Sequence, residues 1–306
     1  MTKVLVLGGT RFFGKKLVQL LLEDGTDVTL VTRGQTVDTF GDQVKRLQLD
    51  RTDQAALAAA VGESEWDVVY DNICFFPQDA LSACEIFAGK VKRYIFTSTM
   101  AVYEFGDQMH PEDDFNPYTY PIPVKLPAEP SYAEGKQLAE AVLFQQAPFP
   151  VCAVRFPIVL GTDDYTERLL FHVERVQQEL PIGIPNLDAV MGFITSDEAA
   201  RFLFWLKNQH FEGPVNARSD GELSIGQIMK LIEAEVGTKA LIEKPSAADD
   251  TLKQADGSAS PFGITASWRM DTSKAVQHGF EFDKVTEWYP RLIKELALAS
   301  ESKAAD

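Results

Sequence analysis

Ser131-Tyr132-Ala133-Glu134-Gly135-Lys136 sets a tyrosine and a lysine four residues apart at the expected start of a helix, hence on one face. A phenol with its ordinary pKa of about 10 is a poor base at neutral pH, but a neighbouring ammonium favours the phenolate. Tyr132 could then move a proton while a cofactor moves a hydride. The same spacing is satisfied by a packed aromatic beside a solvated lysine, so position has to separate the two. The pair follows a strand ending Phe96-Thr97-Ser98-Thr99, whose hydroxyls could hydrogen bond a reacting carbonyl or alcohol, or simply cap the strand.

A second constellation opens the chain. An apolar run at 4–7 leads into Gly8, Gly9, Thr10, Arg11, Phe12, Phe13 and Gly14, then a helix at 15–23 and a second apolar run at 28–31. The first run has no polar alternation, which suits a parallel strand covered on both faces. Gly8 permits a sharp turn that faces backbone N–H groups toward the helix entrance, where the dipole favours a pyrophosphate, and Gly14 permits close packing of helix on strand. The stretch therefore reads as a dinucleotide cradle. At the end of the second strand an acidic residue would favour NAD by accepting from both ribose hydroxyls; this chain has Thr32 and Arg33. With Arg33 and Arg11 available to a 2′-phosphate, NADP is expected, with NAD as the alternative.

The elements that must position these residues alternate. Expected strands at 44–49, 66–70, 93–97 and 151–155 are separated by helices at 52–61, 78–87 and 131–144, which implies a doubly wound parallel sheet. A long loop before Ser131 holds Pro111, Pro117, Pro121, Pro123, Pro127 and Pro130, and loops of that length in a compact domain tend to be functional. Beyond Gly161 the rhythm changes, with helices expected at 166–179, 196–208, 224–236 and 284–297, short strands at 193–194 and 214–217, a polar mobile loop at 246–267, and a fraying tail at 300–306.

Size and charge bound the function. The 306 residues can bury a full core, and 45% hydrophobic with 24% charged residues is ordinary for a globular chain. A formal charge of −16 without a dense Lys/Arg cluster disfavours nucleic acid as a partner. Cys74, Cys84 and Cys152 show no metal-ligand spacing, the four histidines are scattered, and no metal site is expected. No apolar run approaches the ~18 residues of a membrane span, and a cytoplasmic location is expected.

Taken together, the glycine turn, Asp50-Arg51, the strand ending Thr97-Ser98-Thr99 with Val102-Tyr103 after it, the Tyr132/Lys136 pair, Val154-Arg155-Phe156-Pro157 with Gly161, Phe193-Ile194 before Asp197, and Pro214-Val215-Asn216 resemble the extended short-chain dehydrogenase/reductases, the NAD(P)-dependent epimerase/dehydratase family. The resemblance implies a Rossmann-type sheet over residues 1–160, with about 193–215 packing back onto it, and a smaller, mostly substrate-binding part in 161–306. It implies that Thr99, Tyr132 and Lys136 are catalytic, that Lys136 also holds the nicotinamide ribose and lowers the tyrosine pKa, and that Asp50 meets the adenine amino group with Arg51 beside it. Ile73 and Cys74 would line the cofactor cleft near Thr97, and Phe156-Pro157 would lie under the nicotinamide.

The departures are informative. Arg11 replaces the middle glycine of the turn, a variant similar to the branch of chloroplast stem-loop RNA-binding proteins, and Asp71-Asn72-Ile73-Cys74 replaces the usual alanine/glycine wall. Met100 and Ala101 stand where sugar-nucleotide dehydratases carry an acidic pair, which argues against elimination of water. Ile158 and Met191-Gly192 lack an asparagine and an arginine that usually touch the nucleotide of a UDP- or dTDP-sugar. The expected function is an oxidoreductase or epimerase acting on a secondary alcohol or ketone of a small molecule such as a sugar derivative; a homodimer is left open. The alternatives are a catalytically weak dinucleotide-binding regulator and an RNA-binding protein.

Overall fold

Uninterrupted apolar runs become the central strands of the molecule. In the computed structural model, which describes residues 1–244 and 257–305, the chain begins with β1 (Lys3–Leu7), α1 (Phe12–Glu23), β2 (Asp27–Thr32), β3 (Lys45–Gln48), α2 (Gln54–Val61), β4 (Val68–Asp71) and α3 (Pro77–Ile86). It continues through β5 (Tyr94–Thr99), the two-residue β6 (Met109–His110), α4 (Tyr132–Gln146), β7 (Val151–Phe156), β8 (Ile158–Leu160), α5 (Arg168–Gln177), β9 (Pro181–Gly183) and β10 (Val190–Met191). The remainder is β11 (Phe193–Thr195), α6 (Ser196–Leu206), β12 (Gly213–Asn216), β13 (Leu223–Ser224), α7 (Ile225–Val236), β14 (Leu241–Glu243), β15 (Arg269–Met270), α8 (Ser273–Gln277) and α9 (Val285–Ala305).

Seven strands form one parallel sheet in the order β12-β7-β5-β4-β1-β2-β3. Val4 of β1 pairs with Val28 on one side and Val68 on the other, so the chain winds outward in both directions from the β1/β4 seam. This doubly wound α/β sheet is the expected one, and the reversal of winding opens a crevice at the carboxyl ends of β1 and β4. Every residue of β4, β5 and β7 is buried, as strands covered on both faces require. Pro214 sits in the edge strand β12, where a missing N–H costs least.

Helices close both faces. On one, Leu17 and Val18 of α1 join Phe202, Leu203 and Leu206 of α6 against Val4 and Val6. On the other, Ala80 and Ala83 of α3 and Ala139 and Val142 of α4 cover Leu5, Leu7 and Phe96; the small residues let these helices lie close to the sheet. A separate apolar cluster gathers Leu169 and Val173 of α5, Ile228 and Ile232 of α7, and Tyr289 and Ile293 of α9.

Two expectations for the carboxyl end change. The last helix does not stop at 297 but runs to Ala305, so residues 300–305 are helical rather than a frayed tail. Of the expected loop at 246–267, residues 246–256 lie outside the described residues; the rest is irregular, with Ala259 bridged to Gly183.

Glu198, in the first turn of α6, joins these regions. Its fully buried carboxylate accepts the Ser219 hydroxyl and the Asp283 backbone N–H, and the Trp288 indole donates to Ser219 Oγ at 3.0 Å. Burial lifts the Glu198 carboxyl to about 7, against hydrogen bonds from Ser219 and Asp283 that pull it down. A raised carboxyl contributes stability that is fully present below its unfolded pKa and is lost as pH rises through the folded value. Glu198→Gln removes that dependence. Thermal melts of the two proteins between pH 4.5 and 7 should show wild type losing stability relative to the variant, by on the order of 2–3 kcal/mol; parallel curves would refute the assignment.

Candidate active site

The crevice begins at the glycine turn. Gly8 has φ +83°, in the left-handed region, and a Cβ there would stand 2.5 Å from Ile73 Cγ2. A Cβ on Gly14 would run into the carbonyl oxygen of Gly8, so both glycines are required by the close approach of α1 to the sheet. Arg11 is extended and precedes α1 without capping it, and the first turn carries no acidic side chain. The helix entrance is thus without side-chain capping and suited to an anion. Phe12 has φ +52°, unusual for a bulky residue and strained by roughly 1–3 kcal/mol. Its ring is held by Phe13 at 5.5 Å and edge-on by Tyr165 at 6.0 Å. Thr10, between Gly9 and Arg11, is half-buried.

The rim at the end of β2 is basic. Thr32 Oγ1 accepts the Gly34 N–H at 3.2 Å, and Arg11 Nε donates to Thr36 Oγ1 at 2.8 Å, which brings Arg11 to the same rim as the exposed Arg33. Asp50 is exposed nearby. Its Oδ1 accepts the Thr52 N–H and hydroxyl at 2.9 and 2.8 Å, and these bonds, with the charges of Arg33 and Arg51, hold its carboxyl below the usual range.

Arg51 corrects the expectation that it lies beside Asp50 at the adenine. It is 5% exposed and turned into the protein, where its guanidinium pairs with Asp71 and, at 2.7 Å, with Asp79. Two buried carboxylates attract a guanidinium far more strongly than a solvated rim does.

Behind the crevice wall sits Lys136, 2% exposed. Its ammonium donates to the carbonyls of Cys74 and Thr97 at 2.8 and 2.7 Å and lies 4.9 and 4.7 Å from the ring centres of Phe75 and Phe96. Burial pulls it down to about 8, opposed by the negative groups around it. Cys74 lines the crevice with its backbone only; its thiol is buried and burial pushes it up, so it is inert. Thr97 likewise turns its hydroxyl aside, to Asn72 Oδ1 at 2.8 Å, while the Asn72 amide donates to Gly8 O at 3.3 Å. Asn72 thereby ties the glycine turn to β5. Below, Phe156 is buried with its ring 5.8 Å from Phe13, and Pro157 is buried beside it.

Tyr132 opens α4 behind its cap, Ser131, whose Oγ accepts the Glu134 N–H at 3.2 Å. Although 54% of Tyr132 is exposed, the protein packed around its phenol disfavours the phenolate and moves the pKa upward. Hydrogen bonding with Thr99 and the charge of Arg168 pull the other way. Lys136 lies one helical turn deeper than Tyr132, its ammonium given to the Cys74 and Thr97 carbonyls. Thr99 Oγ1 accepts the Ala101 N–H at 3.2 Å, which leaves its proton for the phenol.

Sequence reasoning missed Arg168, Tyr165 and Asn72 as site residues. The first two reach the crevice from the segment after β8, and only the changed wall at 71–74 hinted at Asn72. Among the described residues no group of three or more His, Cys, Asp or Glu could hold a metal, and no helix is long and apolar enough to cross a membrane.

A parallel sheet wound outward from a glycine turn, with a Tyr-x-x-x-Lys helix after the fifth strand, is the architecture that the sequence resemblance implied. Residues 4–73 match the model of the NAD dependent epimerase/dehydratase family. The UDP-glucose 4-epimerase of Thermotoga maritima, solved with UDP-glucose, superposes over 100% of both chains with TM-score 0.73 at 17% identity. The Bordetella bronchiseptica enzyme WbmG, solved with NAD, gives TM-score 0.74 at 18% identity over 98% of this chain and 94% of its own. A curated relative, the chloroplast stem-loop binding protein of 41 kDa b from Arabidopsis thaliana, is 27% identical over 225 residues, 68% of this chain. The match spans 56% of that protein's length.

Proposed function

We propose that the protein is an NAD(P)-dependent oxidoreductase or epimerase acting on a secondary alcohol or its ketone, with sugar derivatives the first class to test. The observation that carries this reading is the convergence of Thr99 and Tyr132 at the crevice mouth with Lys136 one helical turn behind, over an uncapped helix entrance. The family match and the epimerase folds support it at the family level.

The residues present fit a dinucleotide. The pyrophosphate would meet the turn from Gly8 to Gly14, where Cβ atoms at both glycines are excluded and no side chain caps the helix. Asp50 retains Oδ2 for the adenine amino group, and Lys136 keeps a third N–H for the nicotinamide ribose beyond the two given to carbonyls. Ile73, Phe156 and Pro157 would line the nicotinamide end. Arg11, Thr32 and Arg33 favour a 2′-phosphate, so NADP is proposed over NAD. In this reading residues 1–160 with about 193–215 bind the cofactor, and most of 161–306 shapes the substrate side.

When bound, the cofactor supplies the hydride acceptor or donor. Because its pKa is raised, Tyr132 in the free protein is a proton donor, suited to protonating the carbonyl oxygen as a ketone becomes an alcohol. In the reverse sense Tyr132 must first lose its proton to solvent; the phenolate Oη would then take the alcohol proton as the carbinol hydrogen leaves as hydride to the oxidised cofactor, with Thr99 hydrogen bonding the same substrate oxygen. Epimerisation is the two halves in sequence with the ketone presented by its other face.

A second reading is favoured by the chloroplast relative, whose name records stem-loop binding. Against it stand the charge of −16 and the commitment of Arg51 and Arg155 to buried carboxylates. Stem-loop RNAs should bind no better than ~10⁻⁴ M at physiological salt; tight, salt-sensitive binding would reverse the ranking.

By fluorescence titration NADP(H) should bind at least several-fold tighter than NAD(H). Arg33→Ala and Arg11→Ala should each erode that preference, a charge-assisted bond contributing about 1.5–3 kcal/mol; equal affinities in wild type would remove the assignment. For the chemistry, a panel of nucleotide sugars, simple sugars and small ketones is assayed for cofactor oxidation or reduction and, by NMR, for epimers. Tyr132→Phe should lower turnover roughly 10²–10⁴-fold with cofactor affinity nearly unchanged; a variant retaining wild-type rate would show that another group moves the proton.

A further inference from the structure

The wall that departs from small residues, 71–74, carries a buried charge cluster that the reaction as described leaves unused. Asp71 at the end of β4 and Asp79 in α3 share the single guanidinium of Arg51. Asp71 also accepts the Tyr94 phenol at 2.6 Å and the Ile73 N–H at 3.2 Å, and Asp79 Oδ2 accepts the N–H groups of Phe75 and Phe76 at 3.1 and 3.3 Å. The two carboxylates thus fix the backbone on both sides of Cys74. The carbonyl they fix is the one that meets Lys136 Nζ at 2.8 Å.

The charges balance only when Lys136 is counted. Arg51 neutralises one of the two aspartates, and on the far side of Lys136 the Glu140 carboxylate of α4 is matched by Arg155 of β7 at 2.7 Å. The groups facing Lys136 are Asp71 from β4, Asp79 from α3, Glu140 from its own helix and the neutral Cys74 thiol. One negative charge of the pair is left unmatched, and the attraction of Asp71 and Asp79 for the Lys136 ammonium opposes the effect of its burial. An ammonium with 2% exposure between two phenyl rings would otherwise shed its proton at neutral pH.

We propose that Asp71, Asp79 and Arg51 are positioning residues for Lys136: they brace the 72–76 backbone so that Cys74 O meets the ammonium, and they leave one unmatched negative charge beside it. This rests on the proposed role of Lys136 at the nicotinamide ribose for its functional meaning, though not for its test.

The test follows Lys136 itself, by NMR of protein labelled with ε-¹³C lysine, the resonance being assigned by its loss in Lys136→Met. In the free wild-type protein Lys136 should titrate near 8. In Asp79→Asn, which keeps the shape and removes the charge, the midpoint should fall by about one pH unit or more. Asp71→Asn should do the same, and Asp79→Glu should return it toward wild type. A purely structural role would lower the melting temperature in these variants and leave the midpoint in place, and an unshifted midpoint in either folded Asn variant overturns the proposal. So does a wild-type Lys136 that titrates as a solvated lysine, even if neither Asn variant folds. A second readout is the pH dependence of NADP(H) affinity, which should weaken at lower pH in Asp79→Asn than in wild type. No dinucleotide binding by wild type at any pH would sink the cofactor reading and leave the NMR result to decide the inference by itself.

Discussion

The site depends on one guanidinium. Arg155 of β7 is 0% exposed, and its donors reach Glu140 Oε1 and Oε2 at 3.1 and 2.7 Å, the Tyr103 hydroxyl at 2.7 Å, and the carbonyls of Glu112 and Phe115 at 2.7 and 2.9 Å. A charge buried so completely is tolerated only when its donors are matched, and these partners come from α4 and from the proline-rich loop before it. Glu140 also accepts the Ser98 hydroxyl from β5. The strand that ends in Thr99, the helix that starts at Tyr132 and the loop between them are therefore fixed to one another at a single point. The Asn216 side chain extends the network, accepting from Tyr103 and donating to the His110 and Asp271 carbonyls, so that β12 is joined to it as well.

What could be read from the sequence was whatever is decided locally. The glycine turn, the apolar strands and the Tyr-x-x-x-Lys helix each occupy a short window, and in each the residue types follow from backbone geometry: Gly8 from a positive φ, Gly14 from contact with a carbonyl, Ser131 from an open helix end. The parallel, doubly wound character of the sheet followed from the alternation of strands and helices. For the same reason Arg11 and Arg33 could be placed at one rim before any coordinates were known. Arg51 could not be, because its direction is set by Asp71 and Asp79 on two other elements, and a residue beside a rim aspartate gives no sign of turning inward.

The pairing of Tyr132 with Lys136 shows a subtler limit. Spacing of four puts two residues on one helical face but says nothing about depth along it. Here the helix descends into the molecule: its first turn is open to solvent, while Gly135, Lys136, Ala139 and Glu140 are buried. Gly135 permits the descent, since a Cβ there would stand 2.9 Å from the Phe75 carbonyl oxygen. The phenol is thus left partly open to solvent and the ammonium is enclosed. The positive charge of Arg168 also favours the Tyr132 phenolate, against the burial that opposes it.

That descent also explains the chain's charged interior. Each turn of α4 below Tyr132 carries an ionisable residue on the same stripe, first Lys136 and then Glu140, and each must find an opposite charge or a polar cradle on the sheet. Glu140 finds Arg155 directly. Lys136 donates to the Cys74 and Thr97 carbonyls, and beyond Cys74 lie two aspartates, on β4 and α3, that share one arginine. A wall of alanine and glycine would leave the ammonium with carbonyls and aromatic faces only, and those stabilise a cation less than a full charge does. On the same wall Asn72 links the glycine turn to the strand whose carbonyl the lysine holds.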